Sequence, residues 1–303
     1  MKLSELAENL HLDIVRVERD CEISHVALCS DAAAPRTLTY LEKEKFLPTL
    51  ENTSICAVIC SEELVKCLPP QMEGILVTCA PKYVFYAIYN QMTETKESPS
   101  VSTRIGENAR IASTAWISPT DVVIGNDVVI EPGVVIQPHV TIGDRVHIGA
   151  NTVVGSGSFS PVRYQDRAIT MKDLGRVLIG DDVEIRSLCS IERGVFENDV
   201  TVLERGVKID QQVLVGHGTH IGQSSFIVGC TFIAGNCAIG ANVWIGGNAT
   251  ISNRIRIGDS ARVSLGSVVT KDVPAGQTVS GNFAIAHQAF LRNLKRSLQE
   301  TEN

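Results

Sequence analysis

From Ile105 to Val269 every sixth residue is isoleucine, valine or leucine, with three breaks of phase. Ile105, Ile111 and Ile117 form the first run, and a second goes by sixes from Ile124 to Val154. Ile179, Ile185 and Ile191 form a third; after one missed beat the longest run goes from Leu203 to Val269. Such residues make up roughly a quarter of an ordinary chain, so 24 filled positions are not chance. A period of six is neither the 3.6 of a helix nor the 2 of an open strand. It fits a parallel β-helix in which each six-residue unit forms one flat side and three units close a triangular coil. The in-phase aliphatic residue then points into the prism and stacks on its equivalents above and below. The next residue is often glycine, as at Gly125, Gly143, Gly222 and Gly258, which suits corners with unusual dihedrals and little space. Two places before the in-phase residue stands valine or something small: Val207, Val213, Ser225, Cys237, Ala249, Ala261.

A length of 303 residues suggests about two domains. Only 5% of the chain is aromatic while 44% is hydrophobic, so stacked aliphatics build the core. A net charge of −7 argues against nucleic acid as the main partner. No stretch approaches the ~20 apolar residues of a membrane span, and the opening MKLSELAENL lacks the apolar centre of a signal peptide. The expectation is a soluble, cytoplasmic protein. Its nine cysteines form no CxxC pair and read as reduced, buried small hydrophobes rather than disulfides or metal ligands.

The pattern divides the chain into an α/β domain over 1–98, the β-helix over 99–283 and a C-terminal helix over 284–303. Leu3, Leu6 and Leu10 give an opening helix one apolar stripe. Residues 53–60 and 74–79 read as buried strands, and Pro81 starts a helix, where proline suits the first turn. Residues 93–102, TETKESPSVS, read as a linker. The insertion GSFSPVRYQDRAITMKDLGR at 157–176 is too long for a corner and is expected to project as a loop. In the tail, Ala289, Leu291, Leu294 and Leu298 form one helix face, with Arg292, Lys295 and Arg296 exposed.

A solenoid alone does not identify a function, so the seven histidines carry weight: acyl transfer to an amine or hydroxyl needs a base near neutral pH. His11 and His25 fall outside the β-helix, and His139 and His147 read as exposed or hydrogen-bonded side chains. His217, in GVKIDQQVLVGHGTHIG, follows in-phase Val215 by two residues and projects from a side of the prism. Asp210, seven residues earlier, is placed to orient or charge-stabilise its imidazole. Gly235, in FIAGN, lies eighteen residues after His217. That is one full coil, so it stacks above the histidine, where its N–H can meet a developing oxyanion.

At these residues the chain resembles the UDP-3-O-(3-hydroxyacyl)glucosamine N-acyltransferase family of lipid A biosynthesis. The resemblance is strongest in LGRVLIGDDVEI (174–185), SIERGV (190–195), GVKIDQQVLVGHGTHIG (206–222) and IAGN (233–236), and is expected to extend over nearly the whole chain. It implies a left-handed hexapeptide β-helix, an exception to right-handed crossovers. It also implies a homotrimer with sites between neighbouring copies, with His217 as catalytic base, Asp210 as its partner and the Gly235 amide as oxyanion donor. The reaction implied is direct transfer of an acyl group from an acyl carrier protein or coenzyme A thioester to the amine of a nucleotide-linked amino sugar, without metal or bound cofactor. Arg292, Lys295 and Arg296 carry charge suited to either donor. RTLTYLEKEKF (36–46) falls where the family has its uridine pocket, with Tyr40 and Phe46 as the stacking aromatics.

The chain departs from the family's pattern at several points. Lys43 stands where the family has asparagine, and Arg254 replaces its second histidine. The projecting loop reads GSGSFSPV, the stretch between Ile191 and Ile209 is two residues longer, and VVTKDVPAGQTVSGNFA (268–284) is more like small-sugar acetyltransferases. These differences suggest a divergent or paralogous member. The alternatives are an acetyl-CoA-dependent N-acetyltransferase of nucleotide-linked amino sugars, a non-catalytic β-helix assembly protein, and a carbonic-anhydrase-like zinc enzyme. For the last, the spacing of His217 and His220 does not match.

Overall fold

The computed structural model describes residues 1–29, 32, 34–94, 100–281 and 286–301, with the side chains at 294 and 297–301 excepted. The chain forms two compact units, one of residues 1–100, 157–174 and 195–197, the other of 101–156, 175–194 and 198–303.

The first unit is built on a five-stranded sheet of order β1-β5-β4-β3-β2: Val15–Arg19, His25–Val26, Thr37–Tyr40, Ile55–Cys60 and Gly74–Thr78 for β1 to β5. β1 runs antiparallel to β5 and the other neighbours are parallel. The two expected strands are β4 and β5, buried at every residue, as strands covered on both faces are. β1, VRVER, alternates valine with charge at an edge, so its short apolar signal is easily missed. Helix α1, Leu3–Asn9, buries Leu3 and Leu6 completely. A second helix begins at Pro81 and runs to Glu94, two residues into the expected linker, whose positions 95–99 lie outside the described residues.

The insertion after Val154 is not a loose loop. Pro161–Tyr164 and Arg167–Thr170 pair as an antiparallel hairpin, and Val162, Ile169, Met171 and Leu174 join the core of the first unit. The missed hexapeptide beat has a related cause. Between Ile191 and Leu203 the chain contributes Val195 and Phe196 to that same core. Phe196 meets Tyr89 edge-on at 5.3 Å, and the Tyr89 hydroxyl donates to the Val195 carbonyl at 3.1 Å.

The second unit is the expected prism. Three parallel sheets of eight, nine and eight strands form its sides, and Ile191, Val215 and Ile233 are register partners on one of them. From Ile124 to Val269 every in-phase aliphatic residue is buried, together with Val207, Val213, Ser225, Cys237, Ala249 and Ala261. Ile105, at the first coil, is 50% exposed because the stack ends there. The corner glycines serve space rather than dihedrals. A Cβ on Gly222 would meet the backbone of Gly240 one coil up at 2.5 Å, yet its own φ is ordinary. The left-handed residues come two places later, as at Ser224, Asn236, Asn242 and Asn248, types that tolerate that region better than most.

The C-terminal helix is His287–Thr301. Arg292, Lys295 and Arg296 are exposed on it, Ala289 is half-buried and Leu291 is 36% exposed; the expected face continues through Leu294 and Leu298, whose side chains lie outside the described ones.

All five tyrosines lie in the first unit and both tryptophans in the second, so the units can be followed separately. Phe196→Ala is expected to destabilise the first unit by about 3–5 kcal/mol, lowering the denaturant midpoint of the near-UV tyrosine signal. The midpoint of tryptophan fluorescence should stay near the wild-type value; a tyrosine midpoint that does not move refutes this account of the missed beat.

Candidate active site

His217 sits in a corner turn of the prism, half-buried, two residues past the strand Leu214–Val215. The coil above brings Gly235 against its ring. A Cβ on Gly235 would fall 2.6 Å from both Cδ2 and Cε1 of His217, inside any tolerable contact. Only glycine fits there. The one-coil spacing read from the sequence therefore brings the imidazole over the Gly235 backbone, and the Asn236 N–H donates to the His217 carbonyl at 2.7 Å.

The main-chain N–H groups of these corners are capped from above at some coils, as where Ala241 donates to Asp259 Oδ1 at 2.9 Å, and from below at others. At four of them a carboxylate that directly follows an in-phase aliphatic residue accepts the N–H of the coil above. Glu131 accepts from Ala150 at 2.9 Å, Glu204 from Gln223 at 2.9 Å, Asp210 from Gly229 at 3.1 Å and Glu192 from His217 at 3.0 Å. Charge-assisted bonds of this kind are among the stronger ones. Glu131 and Glu204 also bond imidazoles, His147 Nε2 at 2.8 Å and His220 Nε2 at 2.7 Å. The hydrogen bond from His147, then that from Ala150, holds the Glu131 carboxyl below its usual range. Gly235 differs. Its N–H has no acceptor among the described residues although the residue is buried. The position that would carry the cap, one coil below, is Gly216, which has no side chain. An open, buried donor beside an imidazole can hold a carbonyl oxygen that gains negative charge.

The structure places Asp210 apart from His217. Asp210 follows the strand Lys208–Ile209 on the next side of the prism, exposed, and its carboxylate is engaged by Gly229. The carboxylate that reaches His217 is Glu192, at the main-chain N–H. Sequence spacing missed it because the segment Val195–Glu197 stretches this coil, so Ile191 pairs with Val215, twenty-four residues on instead of eighteen. Arg254 is exposed with a left-handed φ of 62°, and its N–H donates to the Gly235 carbonyl at 3.1 Å.

In the first unit, Tyr40 ends β3 and packs on Phe85 with ring centroids 4.8 Å apart. Lys43 is exposed and caps the following 3-10 helix, Glu44–Glu51, in which Phe46 is 45% exposed under the Lys45 ammonium at 4.9 Å. One of the two aromatics thus leans on the core and the other faces solvent. Among the described residues no three His, Cys, Asp or Glu side chains converge as they would around a metal, and no helix is long and apolar enough to cross a membrane. All nine cysteines are free; burial pushes the Cys60 thiol up to about 11, whereas Cys67, Cys79 and Cys230 are exposed, contrary to the expectation that all are buried.

Gly235→Ala is expected to overpack the corner at a cost of about 1–3 kcal/mol and to displace the His217 ring. Imidazole carbon–proton correlation spectra should show the His217 signals moving while those of His147 and His220 hold; unmoved His217 signals contradict the packing.

Comparison with known proteins agrees with this architecture. The model of the bacterial transferase hexapeptide (six repeats) matches residues 121–156, and that of the hexapeptide repeat of succinyl-transferase matches 102–138 and 237–271. UDP-3-O-acylglucosamine N-acyltransferase of Acinetobacter baumannii is 46% identical over 69 residues, 23% of this chain and 19% of its own length. That of Psychromonas ingrahamii is 42% identical over 65 residues, 22% and 18% of the two chains. The chain thus spans about a fifth of the length of the curated relatives it matches, a narrower likeness than the nearly full-length one expected. Among solved structures, UDP-N-acetylglucosamine acyltransferase from Campylobacter jejuni has a TM-score of 0.46 at 23% identity, covering 62% of this chain and 72% of that one. Over the matched stretches the chain is similar to hexapeptide-repeat transferases and to the UDP-3-O-acylglucosamine N-acyltransferases.

Proposed function

We propose that this protein is an N-acyltransferase that moves an acyl group from a thioester donor, acyl carrier protein or coenzyme A, to the amine of a nucleotide-linked amino sugar. The observation that carries the reading is the His217 imidazole held over the open, buried N–H of Gly235. In the reaction the acceptor amine attacks the thioester carbonyl and His217 takes its proton. The Gly235 N–H donates to the oxyanion of the tetrahedral intermediate, which collapses to amide as the thiolate leaves and recovers the proton from His217. A positioned base and an oxyanion donor each contribute typically about 10²–10⁴-fold. Asp210, with one carboxylate oxygen beyond its bond to Gly229, is assigned to the substrate rather than to the imidazole. Arg254, exposed above Gly235, is assigned to an anionic part of donor or acceptor.

The nucleotide belongs to the first unit, at Tyr40, Lys43 and Phe46. An exposed ring can stack on any base, and Lys43 can only donate or act as a point charge, which suits a diphosphate better than a uracil edge. A homotrimer completes the proposal, each site facing a neighbouring copy. Phe232 on the His217 side of the prism, 45% exposed, and Phe226 and Trp244 on the next, 42% and 39% exposed, supply apolar surface for it. The ending over 268–284 favours a second reading in which the donor is acetyl-CoA.

The mass of the product formed from UDP-linked amino sugars and a panel of acyl carriers and acyl-CoAs tests both readings. His217→Ala is expected to lower turnover by about 10²–10⁴-fold with little change in Tm, and His220→Ala far less; equal losses refute the assignment. Phe46→Ala, at an exposed position, is expected to weaken UDP-sugar binding by about 1–3 kcal/mol in calorimetric titration. Unchanged affinity removes the nucleotide site from this unit.

A further inference from the structure

We infer that Glu192 is the positioning carboxylate of His217, fixing its turn and supplying the negative charge that accompanies proton uptake by the imidazole. The inference rests on the reading of His217 as base. Glu192 closes the strand Ser190–Glu192, on the same side of the prism as His217 and one coil below. Its Oε2 accepts the His217 main-chain N–H at 3.0 Å, so its charge lies next to the histidine backbone. The bond also ties down one side of a turn whose other side is held by Gly218 N–H donating to Thr201 Oγ1 at 2.9 Å. A ring that has to lie over Gly235 needs its backbone held in this way.

The same device recurs on the prism with a visible purpose. Glu131 and Glu204 stand in the same place relative to their in-phase residues and each bonds both a corner N–H and an imidazole. There the imidazole precedes the next in-phase residue, a place that Leu214 fills above Glu192, so Glu192 meets its histidine through the main chain. Asp210 lies on the next side of the prism, where its carboxylate accepts from Gly229.

Two arginines belong to the coils below and above His217. Arg193, beside Glu192, donates from Nε to the Gly155 carbonyl at 2.7 Å. Arg254, above Gly235, is exposed. A cation that faces the ring disfavours an imidazolium, and Glu192 carries the opposite sign. An opposite charge close to a titrating group shifts its midpoint by roughly one pH unit or more.

The test compares wild type, Glu192→Gln and Glu192→Asp by nuclear magnetic resonance titration of the His217 ring and by the pH profile of kcat/KM for acyl transfer. The glutamine oxygen can still accept the His217 N–H, so the turn survives and the charge alone is lost. Losing an anion disfavours the protonated imidazole. The His217 midpoint and the acid limb of the profile should therefore both fall by about 0.5–1 pH unit, with the plateau about tenfold lower. Glu192→Asp should recover most of the shift. A Glu192→Gln midpoint equal to wild type overturns the inference, as does a lowered plateau with an unmoved limb, which is a packing effect only. The ring titration needs no turnover. A shifted midpoint in a protein whose transfer is absent, or indifferent to His217→Ala, upholds the pairing and refutes the acyltransferase reading instead.

Discussion

The inward aliphatic stack governs everything else in the β-helix. Each buried isoleucine or valine contributes roughly 1.5–3 kcal/mol, and a slip of one residue in any coil would turn its in-phase residue out of the prism. Ile209, Val215, Ile221, Ile227 and Ile233, each buried to within about one per cent, hold the coils in an eighteen-residue register. That register is what lays Gly235 against the His217 ring, because corner residues have no freedom of their own once the in-phase residues on either side are fixed. Site geometry here is a by-product of core packing.

On that fixed frame the corners differ in what they do with a main-chain N–H. A carboxylate placed after an in-phase residue closes the donor above it, as Glu204 and Asp210 do; Gly216 at the same place offers no such cap, and the Gly235 donor is open. His217 and Gly235 are successive corners of one column. The first is closed by Glu192 and the second is open, so a negative charge on the protein and a vacant donor lie on opposite sides of one imidazole. In the proposed reaction, acyl transfer to an amine draws on a base and on a donor that meets the oxyanion.

The first unit is assembled from three separated pieces of chain. Its sheet and long helix come from the N-terminal segment, but its core is completed by the hairpin at 161–170 and by Val195 and Phe196. Phe85 is central to this arrangement, meeting Tyr40 at 4.8 Å and Phe196 at 6.3 Å. Two of the three departures from hexapeptide phase are thus not lapses of the β-helix. They are the places where its chain supplies apolar residues to another core.

The six-residue period by itself determined the prism, its inward residues and the stacking of Gly235 on His217, since a repeat that buries one residue in six admits one packing. The buried strands Ile55–Cys60 and Gly74–Thr78 and the helix from Pro81 were legible for similar reasons: continuous apolar runs and a proline that suits a first turn. Other features depended on contacts between residues distant in sequence. Phe196 finds its place only against Phe85 and Tyr89, and the hairpin against Tyr83 and Asn90; an insertion's partners leave no periodic trace. Many left-handed corner residues are asparagine, serine or aspartate, such as Asn236, Ser224 and Asp182, while Gly222 and Gly240 keep an ordinary φ, because a left-handed φ and a close backbone approach fall on different residues of those corners. The carboxylate at His217 is Glu192 and not Asp210 because Val195–Glu197 lengthens the intervening coil. Only the register of the folded chain, which counts coils and not residues, decides which acid lies beneath the histidine.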